Sequence, residues 1–182
     1  DAAMAAREVE VARDAFAAWN AVPVARRAAV LRRAAELLEQ RRGAFVAAIQ
    51  DEGFRTLDDA LSELREAVDF CRFYADEAER VMSPATLPGP VGESNRLTLH
   101  GRGVFLCISP WNFPLAIFLG QVSAALAAGN AVVAKPAPQT PRIGVLAVRA
   151  LRDAGVPEEA LRLVPGGPET GAALVAHPAI PG

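Results

Sequence analysis

The second half of the chain alternates between two hydrophobic periods, and this alternation constrains the fold more than any other feature. Three short, continuous apolar runs are typical of strands buried on both faces. Segments with helical spacing follow them, and glycines stand where two of these segments end. The predicted strands are 104–108, 131–134 and 161–164, and the predicted helices are 115–128, 140–154 and 169–176. This β-α-β-α-β-α order predicts a parallel sheet with right-handed crossovers.

The first half is rich in Ala, Arg, Glu and Asp, and its spacing is helical. Apolar residues recur at i, i+4, i+7 and i+8 over residues 30–38, which predicts an amphipathic helix. A further helix is predicted over 57–81, and a connection rich in Pro and Gly over 83–93. Residues 95–100 alternate as an exposed strand does. We therefore divide the chain into a helical part (1–82), a connection with a strand (83–102) and a parallel-sheet part (103–182).

Charge and cysteine content exclude several classes of protein. The 182 residues carry 19 Lys and Arg against 21 Asp and Glu without a polybasic run, so nucleic acid is not an expected partner. The two cysteines are too few for a disulfide framework. No apolar run reaches the roughly 20 residues of a membrane span, and no signal peptide is visible. We expect a globular cytoplasmic protein, and we expect both ends of the sequence to be cut.

Three loops follow the predicted strands, at the edge where open parallel sheets bind ligands. The first loop, Ser109–Pro114, holds Trp111, Asn112 and Phe113 between two prolines that stiffen the turn. A rigidly held Asn112 amide would stabilise an oxyanion that develops on a carbonyl carbon, an effect of ~3 kcal/mol in a preorganised site. The alternative is a capping asparagine between two packed aromatic rings. The spacing alone leaves both interpretations open.

The second and third loops carry a lysine and several glycines. Lys135 ends the second strand, where a dinucleotide-binding fold usually places its ribose-binding group, although a solvated lysine also fits. Gly166, Gly167 and Gly171 would let backbone N–H groups approach a diphosphate at a helix N-terminus. The loop does not match the dinucleotide or phosphate-loop fingerprints, so a plain turn is the alternative. The order of the three loops, one at each strand end, favours a nucleotide site.

One motif makes the sequence recognisable. The pentapeptide Pro-Trp-Asn-Phe-Pro at 110–114, followed by Lys-Pro-Ala at 135–137, resembles the aldehyde dehydrogenase superfamily. The resemblance covers nearly the whole chain. Residues 65–75 and 107–118 are most similar to the 1-pyrroline-5-carboxylate (glutamate semialdehyde) dehydrogenase module of bacterial bifunctional proline utilisation proteins. The resemblance implies an α/β fold in which N-terminal helices precede the first βαβαβ units of a Rossmann-like, parallel-sheet NAD(P)-binding domain, truncated at its C-terminus.

The resemblance also implies a reaction and a role for particular residues. The enzyme would oxidise L-glutamate 5-semialdehyde to L-glutamate with NAD, through a cysteine thiolate that attacks the aldehyde and a glutamate that activates water. Asn112 would stabilise the oxyanion, Phe113 would line the aldehyde tunnel, and Glu66 would face the substrate. The residues expected to bind the cofactor are Ile108, Ser109, Pro110, Trp111, Lys135, Gly167 and Gly171. No metal site is expected, because His100 and His177 lack ligand spacing.

The sequence departs from the family pattern in three places. Pro138 stands where the family usually has a ribose-binding glutamate, so NADP stays open beside NAD. The glycine loop is one residue shorter than its commonest form. The family's nucleophilic cysteine and general-base glutamate would lie beyond Gly182, and we expect Cys71 and Cys107 to be packed rather than reactive. The chain alone is therefore predicted to be inactive.

Two alternatives and several partners follow from the resemblance. The chain could belong to a dehydrogenase of another semialdehyde or aldehyde, or to a truncated, non-catalytic chain that serves nucleotide binding or assembly. A fused proline dehydrogenase domain would be the only route to peripheral membrane association. The full-length protein is expected to be a homo-oligomer, and the strand near 97–99 could be part of an oligomerisation flap.

Overall fold

The structure, a computed structural model, describes residues 2–180, and in the second half these residues form helices and strands in the predicted order. The helices are α1 (Ala2–Asn20), α2 (Val24–Gln40), α3 (Arg42–Gly53), α4 (Leu57–Met82), α5 (Ala116–Ala127), α6 (Pro141–Ala154) and α7 (Pro168–Val175). The strands are β1 (Ala85–Leu87), β2 (Asn95–Leu97), β3 (Val104–Ile108), β4 (Ala131–Lys135) and β5 (Leu161–Leu163). The fold is the predicted α/β arrangement of helices followed by βαβαβα units.

The three strands of the second half form one parallel sheet in the order β3-β4-β5. The register pairs Val104 with Ala131 and Ile108 with Lys135 between the first two strands. It pairs Ala134 with Leu163 between the last two. The carboxyl ends of all three strands therefore lie at the same edge of the sheet, which is the geometry that brings the following loops together.

Strand β4 is buried along its whole length and separates two hydrophobic cores. Val132 and Ala134 belong to the larger core, which is built mainly from α2, α3, α4, α5 and α6. Ala131 and Val133 belong to a smaller core with residues of α1 and α7. Because side chains alternate across a strand, an all-apolar run satisfies both cores at once. Of the first-half helices, α1 thus covers one face of the sheet directly, while α2, α3 and α4 pack against α5 and α6 on the other side.

Strand β3 is less buried than its sequence predicts. Phe105 and Ile108 are 37% and 41% exposed, although the apolar run predicts burial on both faces. Within the described residues β3 lies at the edge of the sheet, with β4 on one side only. The prediction was wrong because an apolar run reveals hydrophobicity but not the order of strands in a sheet.

The connection between the two halves contains a strand that the sequence analysis missed. β1 lies inside the predicted connection 83–93 and pairs antiparallel with β2, which is shorter than the predicted strand 95–100. Both strands have only three residues, and five of these six residues are exposed. A three-residue strand between prolines and glycines leaves no periodic signal, so only its pairing defines it.

Candidate functional site

The three loops that the sequence singled out meet at one edge of the sheet. The N–H of Ser109 donates a hydrogen bond to the carbonyl of Lys135, 3.2 Å away, so the first loop begins beside the second. The N–H of Val164 donates to the carbonyl of Ala134, at 2.9 Å, and so places the third loop on the other side. The carboxyl edge therefore presents the asparagine loop, the lysine and the glycine loop side by side.

Asn112 lies on an exposed part of the first loop, and its side chain is not a helix cap. Helix α5 begins after Leu115, which makes no side-chain capping hydrogen bond. Within residues 2–180 the Asn112 amide has no hydrogen-bond partner, and its neighbour Trp111 is 55% exposed. The capping alternative is therefore wrong. The amide is available to donate to a group that binds outside the loop.

The cap of α5 is instead a buried glutamate on α4. The carboxylate oxygen Oε1 of Glu63 accepts the N–H of Leu115 at 2.7 Å and that of Ala116 at 3.3 Å. Burial raises the pKa of the Glu63 carboxyl, while the two backbone N–H groups and the charge of Arg55 act in the opposite direction. A carboxylate at this end of a helix interacts favourably with the helix dipole.

Glu63 is not among the site residues predicted from the sequence, although the pattern of α4 held a signal. Glu63 is 1% exposed and shares the buried face of α4 with Ala60, Leu64 and Ala67. An acidic residue on the apolar face of an amphipathic helix needs a partner, because a buried charge without one is costly. The partner lies 52 residues away along the chain, which spacing could not reveal.

Arg55 is the second residue that the sequence analysis missed. It lies in the turn between α3 and α4 and donates a hydrogen bond from Nη1 to the carbonyl oxygen of Asn112, at 2.9 Å. Its guanidinium carbon lies 4.5 Å from the centre of the Phe113 ring, within the range of a cation–π interaction. Arg55 therefore contacts two consecutive residues of the asparagine loop. Nothing in the local sequence distinguishes it from a solvated arginine.

Lys135 is buried at the end of β4, so the solvated-lysine alternative is wrong. The side chain is 5% exposed, and Nζ donates one long hydrogen bond, of 3.4 Å, to the carbonyl of Pro136. Burial lowers the pKa of the ammonium group. A side-chain carbon on Gly171 would lie 3.4 Å from Cε of Lys135, so the first turn of α7 packs directly against the lysine.

The glycine loop leads into α7 without a side-chain cap. Gly167 is the N-cap residue, and a side-chain carbon built on it would meet open space. Gly166 lies so close to Thr170 that a side chain there would collide with it, 2.3 Å from Oγ1. The N-terminus of α7 therefore has no side-chain cap and has open space at Gly167, and uncapped N–H groups at a helix N-terminus bind anions.

The remaining predicted cofactor residues line the start of the first loop. Ile108 is 41% exposed, Pro110 is half-buried, and Ser109 is buried with a hydroxyl oxygen that has no partner among residues 2–180. Ile108, which pairs with Lys135 in the sheet, and Trp111 both present exposed apolar surface. This combination of apolar surface and a few polar groups is typical of cofactor sites.

The two residues predicted to meet the substrate lie on different elements. Phe113 is half-buried beneath the Arg55 guanidinium. Glu66 is exposed on α4 and lines a cleft of about 510 Å³ with Arg65, Phe70 and others. Within residues 2–180, no hydrogen bond or ion pair joins Glu66 to the asparagine loop, and its role toward the substrate stays a prediction.

Neither cysteine has the properties of a nucleophile. Burial raises the pKa of Cys71 and of Cys107 to about 12, and both thiols are therefore protonated at neutral pH. In the described part of the chain, no cluster of His, Cys, Asp and Glu is arranged to hold a metal ion. Between residues 2 and 180, no helix combines the length and apolar character needed to cross a bilayer.

Curated relatives resemble this chain over most of its length. Bifunctional protein PutA of Rhizobium meliloti is 49% identical over 153 residues, which are 84% of this chain and 11% of that protein. 1-Pyrroline-5-carboxylate dehydrogenase 1 of Halalkalibacterium halodurans is 36% identical over 176 residues, which are 96% of this chain and 34% of that protein. The chain thus spans far less than two thirds of the relatives it matches.

Solved structures share the fold closely. A structure of proline utilization A (PutA) from Bradyrhizobium japonicum has 59% sequence identity and a TM-score of 0.97, over 99% of this chain and 19% of that one. A 1-pyrroline-5-carboxylate dehydrogenase from Thermus with bound NAD has 36% identity and a TM-score of 0.93, over 98% of this chain and 35% of that one. The sequence model of the aldehyde dehydrogenase family matches residues 1–182. The chain therefore belongs to the aldehyde dehydrogenase family.

Proposed function

We propose that this chain forms the front part of the cofactor-binding domain of a longer, NAD-dependent aldehyde dehydrogenase that oxidises L-glutamate 5-semialdehyde to L-glutamate. The observation that carries the proposal is the meeting of three loops at one sheet edge. They present an unpaired asparagine amide, a buried lysine and an uncapped helix N-terminus. Each of these groups suits one part of the reaction: an amide donor for an oxyanion, a cation for ribose hydroxyls and backbone N–H groups for a diphosphate.

The residues at this edge fit a nicotinamide dinucleotide. Lys135 lies at the strand end with one long hydrogen bond, so its ammonium group can donate to ribose hydroxyls. The open space at Gly167 would let a diphosphate approach the N–H groups that follow Pro168 in α7. Ile108 and Trp111 offer apolar surface to the cofactor. When bound, NAD supplies the acceptor for the hydride that leaves the substrate carbon.

Asn112 carries the chemistry that this chain itself contributes. When a nucleophile adds to the aldehyde carbon, the carbonyl oxygen gains negative charge, and the Asn112 amide donates a hydrogen bond to it. A preorganised donor stabilises this charge more than water does, because it pays no reorganisation at the moment of reaction. The nucleophilic cysteine and the general base come from another part of the protein, since Cys71 and Cys107 are buried and protonated.

The relatives guide the choice of substrate. The similar proteins are called PutA or 1-pyrroline-5-carboxylate dehydrogenase, and the latter name specifies the cyclic form of glutamate semialdehyde. The open semialdehyde carries an ammonium group, for which the exposed carboxylate of Glu66 is a suitable partner. We propose accordingly that Glu66 faces the substrate and that Phe113 lines its path.

We propose NAD as the cofactor in preference to NADP. The Thermus relative was solved with bound NAD, and this supports the choice. Pro138 offers no carboxylate to the ribose hydroxyls, so the preference has to come from other residues. We also propose a fused proline dehydrogenase, a cytoplasmic location and a homo-oligomer joined through the β1–β2 hairpin. The bifunctional relatives support the fusion.

The test is an assay of the full-length protein with L-glutamate 5-semialdehyde and NAD. Reduction of NAD, lowered about 100-fold by Asn112→Ala, is the expected result. A higher kcat/KM with another aldehyde would make that aldehyde the substrate in place of L-glutamate 5-semialdehyde. Faster reduction of NADP would make NADP the cofactor in place of NAD. Absence of dehydrogenase activity with every aldehyde, together with intact NAD binding, would favour a non-catalytic chain.

A further inference from the structure

The asparagine loop needs support from outside itself. Residues 109–114 form no helix or strand, and Pro110 and Pro114 have no N–H to donate. The loop nevertheless has to hold the Asn112 amide at a fixed point, because a donor that moves by about 1 Å loses much of its effect. The support comes from two oppositely charged side chains. Arg55 lies just before α4, and Glu63 lies on α4.

Arg55 fixes the middle of the loop. Its hydrogen bond of 2.9 Å goes to the carbonyl of Asn112, which is joined to the same Cα as the amide-bearing side chain. The guanidinium also covers the ring of Phe113 at 4.5 Å. Two contacts to consecutive residues restrict both the position of the peptide and its rotation. A planar guanidinium can make both contacts at once, whereas a lysine ammonium cannot.

Glu63 fixes the end of the loop. Its Oε1 accepts two hydrogen bonds, from the N–H groups of Leu115 and Ala116, directly after Pro114. The side chain is 1% exposed, so water does not compete for these bonds. Arg55 and Glu63 also attract each other electrostatically. The loop is thus held at its centre and at its end by a pair of opposite charges.

We propose that Arg55 and Glu63 act as positioning residues, which hold the Asn112 amide in the orientation that stabilises the oxyanion. This proposal rests on the proposed function for its catalytic consequence. Neither side chain touches the reacting atoms, and both act through Asn112. Their effect on the reaction therefore depends on the presence of the Asn112 amide.

A double-mutant cycle in the full-length enzyme tests this dependence. We expect Arg55→Ala to lower kcat about 10-fold and Asn112→Ala about 100-fold, with the KM for NAD little changed in both. The double variant should be no slower than Asn112→Ala alone, because its loop no longer has a donor to position. Arg55→Lys should restore only part of the loss. Additive losses in the double variant would contradict the proposal.

Arg72→Ala is the matched control. Arg72 lies on α4 and forms an exposed ion pair with Glu39, so its removal deletes an arginine and a salt bridge away from the loop. The kcat of this variant should stay within about twofold of the wild-type value, as expected for a surface pair. A loss equal to that of Arg55→Ala would show that any weakened α4 surface slows the enzyme, and would overturn the proposal.

Hydrogen exchange measured by mass spectrometry tests the clamp without relying on activity. Peptides that cover residues 111–119 should exchange about 10-fold faster in Arg55→Ala and Glu63→Ala than in the wild type or in Arg72→Ala. Glu63→Gln keeps an acceptor oxygen, so the same peptides should exchange more slowly in Glu63→Gln than in Glu63→Ala. Equal exchange in all variants would overturn the clamp. If the wild type lacks dehydrogenase activity but Arg55→Ala and Glu63→Ala still exchange faster than the wild type, the proposed function fails and the clamp stands.

Discussion

Helices α5 and α7 begin at the same edge of the sheet, but only the N-terminus of α5 is capped by a side chain. In α5 the first N–H groups are bonded to the buried carboxylate of Glu63. In α7 the N-cap residue is Gly167, with no side-chain cap and with open space around it. Both ends carry the positive pole of a helix dipole and several N–H groups without intrahelical partners.

Helix α6 shows that the internal cap is a repeated solution. The carboxylate of Glu52 accepts the N–H groups of Arg142 and Ile143, at 3.0 and 3.1 Å. Two of the three helices that follow the sheet strands are therefore capped by an acidic residue from the first half of the chain. The third helix, α7, has no side-chain cap among the described residues. The proposed diphosphate site is therefore distinguished by the missing cap, and not merely by the presence of a helix N-terminus.

The largest expected effect is a loss of stability when the Glu63 cap of α5 is removed. Glu63→Ala should lower the free energy of unfolding by about 3 kcal/mol, because it leaves two buried N–H groups without an acceptor. Urea unfolding of the wild type and the variant measures the difference. A loss well below 1 kcal/mol would mean that the N–H groups find water or another acceptor, and that the Glu63 cap is dispensable.

The second largest expected effect is a loss of NAD affinity when a side-chain cap is added to α7. Gly167→Asp places a carboxylate where we propose that the diphosphate binds, and it should weaken NAD binding about 30-fold, or ~2 kcal/mol. The N-cap backbone has φ −79° and ψ −166°, which aspartate adopts without strain. Calorimetric titration with NAD gives the affinity. Gly167→Asn is the uncharged control, and an equal loss in both variants would assign the effect to size instead of charge.

A smaller effect is expected at α6, where the capping carboxylate is only half-buried. Glu52→Ala should lower the free energy of unfolding by about 1 kcal/mol, as is usual for the loss of a helix cap. Asp51→Ala is the control, since Asp51 forms only an exposed ion pair with Arg142, and it should change stability by less than about 0.5 kcal/mol. Urea unfolding that ranks the two variants in the opposite order would contradict the capping role.

The last test uses pH to compare Glu63 with a neutral side chain. Burial raises the pKa of Glu63 in the folded state above its ordinary value of 4.5, with Glu66 adding to the rise and Arg55 opposing it. As pH rises from 4.5 towards the raised value, the unfolded chain loses the proton first, so the contribution of Glu63 to stability falls. Glu63→Gln does not titrate.

The stability of the wild type relative to Glu63→Gln should therefore be greatest below pH 4.5 and decrease as pH rises, until it levels off above the raised pKa. Urea unfolding of both proteins between pH 4 and 8 measures this difference. A difference that grows with pH would show that the carboxylate form is favoured in the folded state, and that the two backbone N–H groups outweigh the cost of burial.

The helices and strands of the second half could be predicted from local sequence patterns. The predicted strand 104–108 and β3 have the same bounds, and Gly129 and Gly155 follow α5 and α6 with positive φ, as the helix-stop pattern predicts. The motif around Asn112, with Lys135 and the glycine loop, also predicted the family. These features are local: a hydrophobic period, a glycine or a short motif is present in the sequence before folding.

Tertiary structure alone decided what these features contact. The partial exposure of β3 depends on the order of strands, and β1 exists through its pairing with β2. The contacts of Arg55 and Glu63 with the asparagine loop span 57 and 52 residues of sequence. A periodic pattern reports only which face of an element is apolar. Which distant atoms meet there follows from the packing of α4 against α5, and that packing also set the burial of Glu63.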